Sequence, residues 1–184
     1  LASRGSDWEW QLVPGAEPDF VVVHQWGAVG DTLSVTLHYN GRPADGLVIR
    51  DNVHNRRTAF ADNWPDRARH WFPCEDHPSD KATVSFAVNV PRTWKAVANG
   101  RLLRVDSLEA GRTVWYWREA RPIPVHTMVI GAGHMAVTPI GKVNGVPQSV
   151  WTFPQDSAFA VEQPFRRATQ IVAVLDSLIG PFPF

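Results

Sequence analysis

The feature that most constrains the fold is a series of short stretches in which apolar and polar residues alternate, separated by Gly or Pro. This alternation is typical of strands with one buried and one exposed face. Many short strands at such spacing predict a mainly β fold, arranged as a saddle-like pair or sandwich of antiparallel sheets. The predicted strands are residues 20–25, 32–39, 47–50, 83–90, 95–98, 102–105, 113–117, 126–130, 134–138 and 148–153.

Two turns in this pattern carry the residues that tight hairpins favour. Asn99 and Gly100 tolerate positive φ, so we predict a hairpin that joins 95–98 to 102–105. Gly111, which ends a Glu-Ala-Gly sequence, predicts a second turn before 113–117. The three strands would then form a meander.

The period of the apolar residues changes after Pro164. The spacing becomes i, i+3, i+4, which predicts one amphipathic helix over residues 165–179. Pro164 suits the first turn of this helix, and Gly180 followed by Pro181 suits its end. The apolar positions are Phe165, Ala168, Ile171, Val172, Leu175, Leu178 and Ile179. A single helix after a β-rich run needs a partner for its apolar stripe.

The segment 60–83 is too polar and too rich in proline for a strand, and too aromatic for a solvated linker. Prolines at positions 65, 73 and 78 fix φ at three points. We predict a functional loop that is ordered by its own ion pairs. Its acids are Asp62, Asp66, Glu75, Asp76 and Asp80, and the bases available to neutralise them are Arg67, Arg69 and Lys81.

The same segment carries a resemblance to a known family. It contains D-N-W-P-x-R-A-R-x-W-x-P and then D-H-P-S-D-K-A-T, and further matching runs lie at 97–100, 121–131, 151–156 and 179–184. Through these residues the chain resembles the amino-terminal β-domain of the aminopeptidase N-like zinc metallopeptidases (the gluzincin family), over roughly residues 30–184. The resemblance implies a β-rich domain at 1–160 and, at 161–184, the first helix of a helical catalytic domain.

The resemblance also implies the function of a larger parent protein. That parent would be a zinc-dependent aminopeptidase whose catalytic domain carries H-E-x-x-H and G-x-M-E-N, motifs that are absent from this sequence. We therefore expect no catalytic residue and no metal ligand in this chain, and zinc in the catalytic domain of the parent. The expected partners are a peptide substrate and that catalytic domain, with this chain forming one wall of the substrate cleft.

The resemblance places the substrate-binding position of the family on the 60–83 segment. In the family, a Gln or Glu of this loop binds the free α-amino group of the substrate. Counting back from Pro73-Cys74, that position falls on Trp64, and another polar cleft position falls on Asp62. An indole accepts no hydrogen bond from an ammonium group, although its face attracts a cation.

Asp62 is therefore the better electrostatic anchor. Asn63 would support it as donor and acceptor, so the substrate-binding candidates are Asp62, Asn63 and Trp64. The alternative is that Asp62 only caps the turn before Trp64-Pro65.

Other functions stay open at this point. One is a non-catalytic relative that serves as a protein-interaction scaffold, and another is a sugar-binding sandwich that uses some of the nine tryptophans. We expect most tryptophans to pack in the core instead. His70 and His77 match no catalytic zinc spacing, and Cys74 beside two acids is predicted to be an inert thiol. Ser79 lacks the surroundings of a nucleophile elbow.

The charge balance of the chain limits the kinds of partner that we expect. Eighteen acidic and eighteen basic side chains cancel without long runs of either sign, which argues against nucleic acid and anionic membranes. No stretch approaches the roughly 20 apolar residues of a membrane-spanning helix. Cys74 is the only cysteine, so an internal disulfide is excluded and the compartment stays open. The sequence begins with Leu1 instead of methionine, and it ends at Phe184 in the middle of a Pro-aromatic run. We therefore expect a fragment of a longer protein.

Overall fold

The computed structural model describes residues 2–4, 8–13, 20–25, 28, 30–32 and 34–183, the first three ranges by their backbone alone. Within these ranges the chain forms twelve strands and two α-helices. The strands are β1 Ala2–Arg4, β2 Trp8–Val13, β3 Phe20–Gln25, β4 Leu47–Asp51, β5 Arg57–Ala61, β6 Lys81–Pro91, β7 Lys95–Ala98, β8 Arg101–Leu108, β9 Arg112–Pro124, β10 Ile130–Gly133, β11 Ala136–Val143 and β12 Val146–Thr152. The helices are α1 Ser157–Glu162 and α2 Ala168–Ile179.

The strands form antiparallel sheets, which confirms the predicted fold class of a mainly β chain with a C-terminal helix. The sheet orders are β1-β2-β3, β4-β5-β10-β7, β6-β9-β8 and β11-β12. The longest pairing is that of β6 with β9, in which Phe86 lies opposite Trp117. The predicted turn between β8 and β9 is also confirmed, because Ala110 and Gly111 have φ of 57° and 68°.

The predicted hairpin at Asn99-Gly100 is wrong, because β7 pairs with β10 whereas β8 pairs with β9. Gly100 has φ of +80°, and a Cβ on it would lie 2.0 Å from the carbonyl oxygen of Arg118. The Asn99 side chain donates to the Thr127 carbonyl at 2.8 Å and accepts from the Val129 N–H at 2.6 Å. The turn therefore carries the chain from one sheet to another. Turn chemistry predicts backbone angles, but it does not predict which strands pair.

Two further strand predictions differ from the structure. No strand forms over 34–43, although the alternation at 32–39 predicted one; position 33 lies outside the described residues. A strand needs a neighbour that takes up its backbone hydrogen bonds, and no described strand pairs with this segment. The strand predicted at 126–130 does not form before Ile130, where β10 begins. Val125–Thr127 is a 3₁₀ turn, in which the Met128 N–H donates to the Val125 carbonyl at 2.9 Å.

The core has two clusters of buried side chains. Members of the first are Ala68, Ile123, Val125 and Met128, with Phe72, Cys74, Val84 and Phe86 packed against them. Members of the second are Val90, Ala96 and Ala132, with Ala59, Val88, Trp94 and Trp115. Ala68 belongs to the 60–83 segment, whereas Val84 and Phe86 belong to β6 and Ile123 belongs to β9. The first cluster therefore packs the segment against these two strands.

Three tryptophans pack against each other between the strands, as predicted. The Trp151 ring meets Trp115 and Trp117 edge to face, with interplanar angles of 71° and 62°. The Trp117 indole N–H donates to the Ala96 carbonyl at 3.0 Å. These perpendicular rings do not form the coplanar exposed platform that a sugar-binding face needs.

The helical region is shorter and more broken than predicted. Residues 163–167 form turns, so α2 begins at Ala168 instead of 165, and the short helix α1 precedes it. Pro164 follows α1, where its lack of an N–H ends that helix. The Asn144 side chain donates to the Asp176 carboxylate and ties α2 to the turn between β11 and β12. Neither of the described helices has the length and apolar content that crossing a membrane requires.

A long-range contact ties the turn before β5 to the start of the helices. His54 Nε2 lies 2.8 Å from Asp156 Oδ2, and the His54 ring meets Phe153 edge to face at 5.8 Å between centroids. The turn itself is shaped by Asn52, whose side-chain oxygen accepts from the N–H groups of His54 and Arg56.

Candidate functional site

The candidate site is the aromatic loop, residues 62–80, which connects β5 to β6. The Asp62 N–H donates to the Gly46 carbonyl at 2.7 Å, which holds the start of the loop against the residues before β4. Gly46 has φ of +74°, and a Cβ on it would lie 2.1 Å from the Arg67 carbonyl oxygen. Only glycine fits here without moving the loop, because both the backbone angle and the space exclude a side chain.

Asn63 fixes the loop from inside. It is 1% exposed, and its amide nitrogen donates to the Met128 carbonyl at 2.6 Å. Its side-chain oxygen accepts from the Trp71 indole N–H at 2.8 Å. Both ends of the amide are therefore satisfied within the fold, and Asn63 acts on the site by holding the loop.

Asp62 and Trp64, on either side of Asn63, are exposed. The Asp62 carboxylate accepts from Arg67 Nη1 at 2.9 Å through Oδ2, and Arg67 Nε lies 3.6 Å from Asp45 Oδ2. No backbone N–H in the described part of the chain donates to the Asp62 carboxylate. Two carboxylates thus share one guanidinium group, so this cluster keeps a net negative charge.

Trp64 presents most of its ring to solvent. The residue is 65% exposed, and its peptide bond to Pro65 is cis. Its ring meets His126 edge to face, at 5.3 Å between centroids and 74° between planes. An exposed indole with one supported side can stack on an apolar group or attract a cation.

The second half of the loop is held by a mostly buried ion pair. Arg69 donates from its backbone N–H and from Nε to Asp76 Oδ2, at 3.1 and 3.2 Å, and the Asp76 side chain is 4% exposed. The predicted ion pairing inside the loop is therefore confirmed for Arg67 and Arg69. Lys81 forms no ion pair among the described residues; it lies in β6 opposite Pro124.

The remaining reactive side chains of the loop have structural surroundings. Burial, and then the Asp76 carboxylate, raise the pKa of the Cys74 thiol to about 11, so the thiol is protonated at neutral pH. His77 Nδ1 and Ser79 Oγ are 2.7 Å apart, but Asp80 gives only its backbone N–H, to the His77 carbonyl. These residues form a local turn and not a Ser-His-Asp triad.

The structure adds two groups to the site that the sequence did not indicate. They are the His126 ring, which supports Trp64, and the Met128 carbonyl, which holds Asn63. Both come from the turn after β9, far from the loop in sequence. The matching run 121–131 contains them, but it does not indicate a contact with the loop. Their proximity depends on how β9 pairs with β6.

The described residues do not fit a metal. No three His, Cys, Asp or Glu side chains in this part of the chain lie close enough together to hold an ion. His70 and His77 are among the residues searched. No chemical step is therefore assigned to a metal within this chain.

Comparison with known proteins assigns the family. The model of the peptidase M1 N-terminal domain matches residues 20–126, more than half of the chain. Leucine aminopeptidase 2 of Neurospora crassa is 32% identical over 152 residues, which cover 77% of this chain and 22% of that protein. Leucine aminopeptidase 2 of Pyricularia oryzae is 36% identical over 81 residues, covering 43% of this chain and 13% of that protein.

A mouse protein matches with lower identity. Aminopeptidase B of Mus musculus is 28% identical over 116 residues, which cover 62% of this chain and 16% of that protein. The chain spans less than a quarter of the length of each of these three relatives. The resemblance carried by the aromatic loop and its flanking strands is confirmed, and the chain belongs to the peptidase M1 N-terminal domain family.

Proposed function

We propose that this chain is the non-catalytic N-terminal domain of a zinc-dependent aminopeptidase, and that its aromatic loop forms one wall of the substrate cleft. The parent protein would release amino-terminal residues from peptides, with zinc held by a catalytic domain outside this chain. One observation carries the proposal: Asn63 is buried and doubly bonded, and this holds Asp62 and Trp64 at the surface on either side of it.

The chemistry of these two side chains suits an α-amino group. The substrate amine is an ammonium ion at neutral pH, and both a carboxylate and the face of an indole attract it. Arg67 binds Oδ2 of Asp62, which leaves Oδ1 available to a ligand. Because Asp45 shares the same guanidinium group, the positive charge of Arg67 does not cancel both acids. A cationic ligand is therefore favoured at this surface over an anionic one.

We also propose a domain division, with a β-rich domain at 1–160 and the start of the next domain at 161–184; α1 crosses this boundary and α2 lies wholly beyond it. Thr169 and Asp176 of α2 lie toward the β11–β12 hairpin, whereas the stripe formed by Ile171, Leu175 and Leu178 is exposed, and Leu178 is 75% exposed. A stripe of this kind normally lies against other apolar residues. We propose that the catalytic domain of the parent covers it.

The test compares this chain with the longer protein that contains it. The longer protein should hydrolyse a leucyl anilide, should not hydrolyse the N-acetylated anilide, and should bind one zinc per chain. The 184-residue chain alone should neither hydrolyse the leucyl anilide nor bind zinc at one equivalent. Activity or stoichiometric zinc in the short chain overturns the proposal, because the chemistry would then lie within it. A longer protein without zinc and without activity supports the scaffold alternative instead.

A further inference from the structure

The Trp64 ring is supported by a histidine from outside the aromatic loop. His126 lies in the turn Val125–Thr127, with its ring centroid 5.3 Å from that of Trp64. Two hydrogen bonds hold the end of this turn: the Thr127 carbonyl accepts from Asn99, and the Met128 carbonyl accepts from Asn63. The imidazole is thus held beside the indole by bonds that involve neither ring.

The protonation state of the His126 imidazole changes its interaction with the Trp64 indole. A neutral imidazole and an indole at 74° form a favourable edge-to-face pair. A protonated imidazole at this position places a positive charge about 5.3 Å from the indole ring. It then repels a second cation that is brought to the same ring.

We propose that His126 is a positioning residue whose protonation controls amine binding at the aromatic loop. In its neutral form it holds Trp64 for the ammonium group of the substrate, and in its protonated form it opposes that group. This inference rests on the proposed function, since it requires the amine to bind at Asp62 and Trp64. Histidine gains its proton as the pH falls, ordinarily between about pH 8 and 5. Amine binding therefore weakens toward acid pH.

Charged groups on the elements around His126 do not cancel its charge. On the aromatic loop, Asp62 and Asp66 lie two residues on either side of Trp64, and Asp62 is paired with Arg67. On β6, Lys81 lies opposite Pro124, two residues before His126. None of the ion pairs in the described part of the chain includes His126. A proton added to His126 therefore changes the net charge beside the amine position.

The test uses the longer protein with its catalytic domain, and L-leucinamide as the probe. Calorimetry measures its dissociation constant between about pH 8 and pH 5.5, with N-acetyl-L-leucinamide as the ligand without a charged amine. The constant is expressed for the ammonium form of leucinamide, because an α-amino group itself titrates at about pH 7.7 to 8.0. The dissociation constant of leucinamide should rise about 1.5-fold to fivefold over this range, the size of effect found for exposed charge pairs. That of the acetylated ligand should not rise.

Two variants identify the residue responsible. His126→Phe keeps an aromatic ring beside Trp64 and removes the charge, so it should abolish the weakening at acid pH. His134→Phe is the matched control, because His134 is exposed in the turn between β10 and β11, and this variant should keep the pH dependence of the unchanged protein. An acid-side weakening that persists unchanged in His126→Phe overturns the inference and leaves the proposed function intact.

A measurement without substitution covers the case in which His126→Phe does not fold. Proton and amine binding that oppose each other do so reciprocally. Saturating leucinamide should therefore move the midpoint of the His126 titration, followed by NMR, to lower pH. A midpoint that leucinamide does not move overturns the inference. If free and acetylated leucinamide bind equally well at about pH 8, the amine anchor of the proposed function is itself wrong, and the inference falls with it.

Discussion

Arg67 donates to the carboxylate of Asp62 at 2.9 Å, so the acid that we propose as the amine anchor is already one half of an ion pair. The pair is exposed, and such pairs are individually weak. Its effect is mainly geometric, because it directs one carboxylate oxygen toward Arg67 and leaves the other open. The ion pair and the proposed amine contact therefore use different oxygens of the same residue.

Replacing Asp62 by Asn in the longer protein keeps the shape and removes the charge. A hydrogen bond to a charged group contributes roughly 1.5 to 3 kcal/mol, so kcat/KM for a leucyl anilide should fall about tenfold to a hundredfold, mainly through KM. Asp66→Asn removes a neighbouring exposed acid and should have little effect. If Asp62→Asn lowers the melting temperature but leaves KM unchanged, Asp62 only stabilises the loop.

Replacing Trp64 by Leu removes the indole face and keeps an apolar side chain. The expected rise in KM is about twofold to thirtyfold, corresponding to a cation–π contribution of about 0.5 to 2 kcal/mol. Trp64→Phe should fall between Leu and the unchanged residue. Steady-state kinetics of the three proteins measure this order. A loss larger than that of Asp62→Asn would mean that the ring shapes the cleft wall beyond contacting the amine.

Replacing Asn63 by Ala should destabilise the fold. The substitution leaves the Met128 carbonyl and the Trp71 indole N–H without their partners, at about 1 to 3 kcal/mol for each buried group. Urea unfolding followed by tryptophan fluorescence measures the loss. Asn40→Ala is the control, since Asn40 is exposed and its side chain makes no hydrogen bond within the described part of the chain, and it should change the free energy of unfolding by no more than about 0.5 kcal/mol. Equal effects of the two variants would contradict the internal anchoring of the loop.

Substitution of two glycines that have similar backbone angles distinguishes the cost of backbone strain from the cost of a steric clash. Gly46 and Gly111 have φ of +74° and +68°, but a Cβ on Gly46 meets the Arg67 carbonyl at 2.1 Å, whereas one on Gly111 meets nothing within 4 Å. Gly111→Ala should cost about 1 to 2 kcal/mol of stability from the angle alone. Gly46→Ala should cost about 1 to 3 kcal/mol more, because the loop must move. Thermal unfolding of both variants tests the difference, and equal melting temperatures would refute the close approach.

Cys74 should react slowly with thiol reagents in the folded protein. Its pKa is raised to about 11, so little thiolate exists at about pH 8. A pKa raised by folding also means that the stabilising contribution of the neutral thiol is complete below its ordinary value near 9.0 and is lost as the pH rises through about 11. The protection of the thiol is measured by the rate of its reaction with an aromatic disulfide reagent, before and after unfolding in urea. Equal rates would show that the thiol is not protected.

Local patterns predicted several elements whose signal lies in a short stretch of sequence. The alternation at 83–90 became β6, the turn at Ala110-Gly111 joins β8 to β9, and the apolar spacing after Pro164 became α2. In each case the information lies within a few neighbouring residues. The position of Pro164 was still misjudged, because a proline suits the turn before a helix as well as its first turn.

Contacts between distant parts of the chain were not predictable in this way. Asn99-Gly100 has hairpin chemistry, but its strands join different sheets. Asn63 reads as an exposed polar residue of a loop, and only the fold shows that its amide reaches the Met128 carbonyl. His126 lies in the matching run 121–131, but nothing in that run indicates a contact with the loop. It became part of the candidate site because the turn after β9 packs beside the loop.

The His54 contact with Asp156 has a mechanical consequence for the aromatic loop. β5 begins just after the turn that carries His54, ends just before Asp62, and pairs with β4 on one side and β10 on the other. Its five residues span about 16 Å. A strand held on both sides resists bending. We therefore expect a tilt of the helices that displaces Asp156 to be transmitted along β5 to the loop.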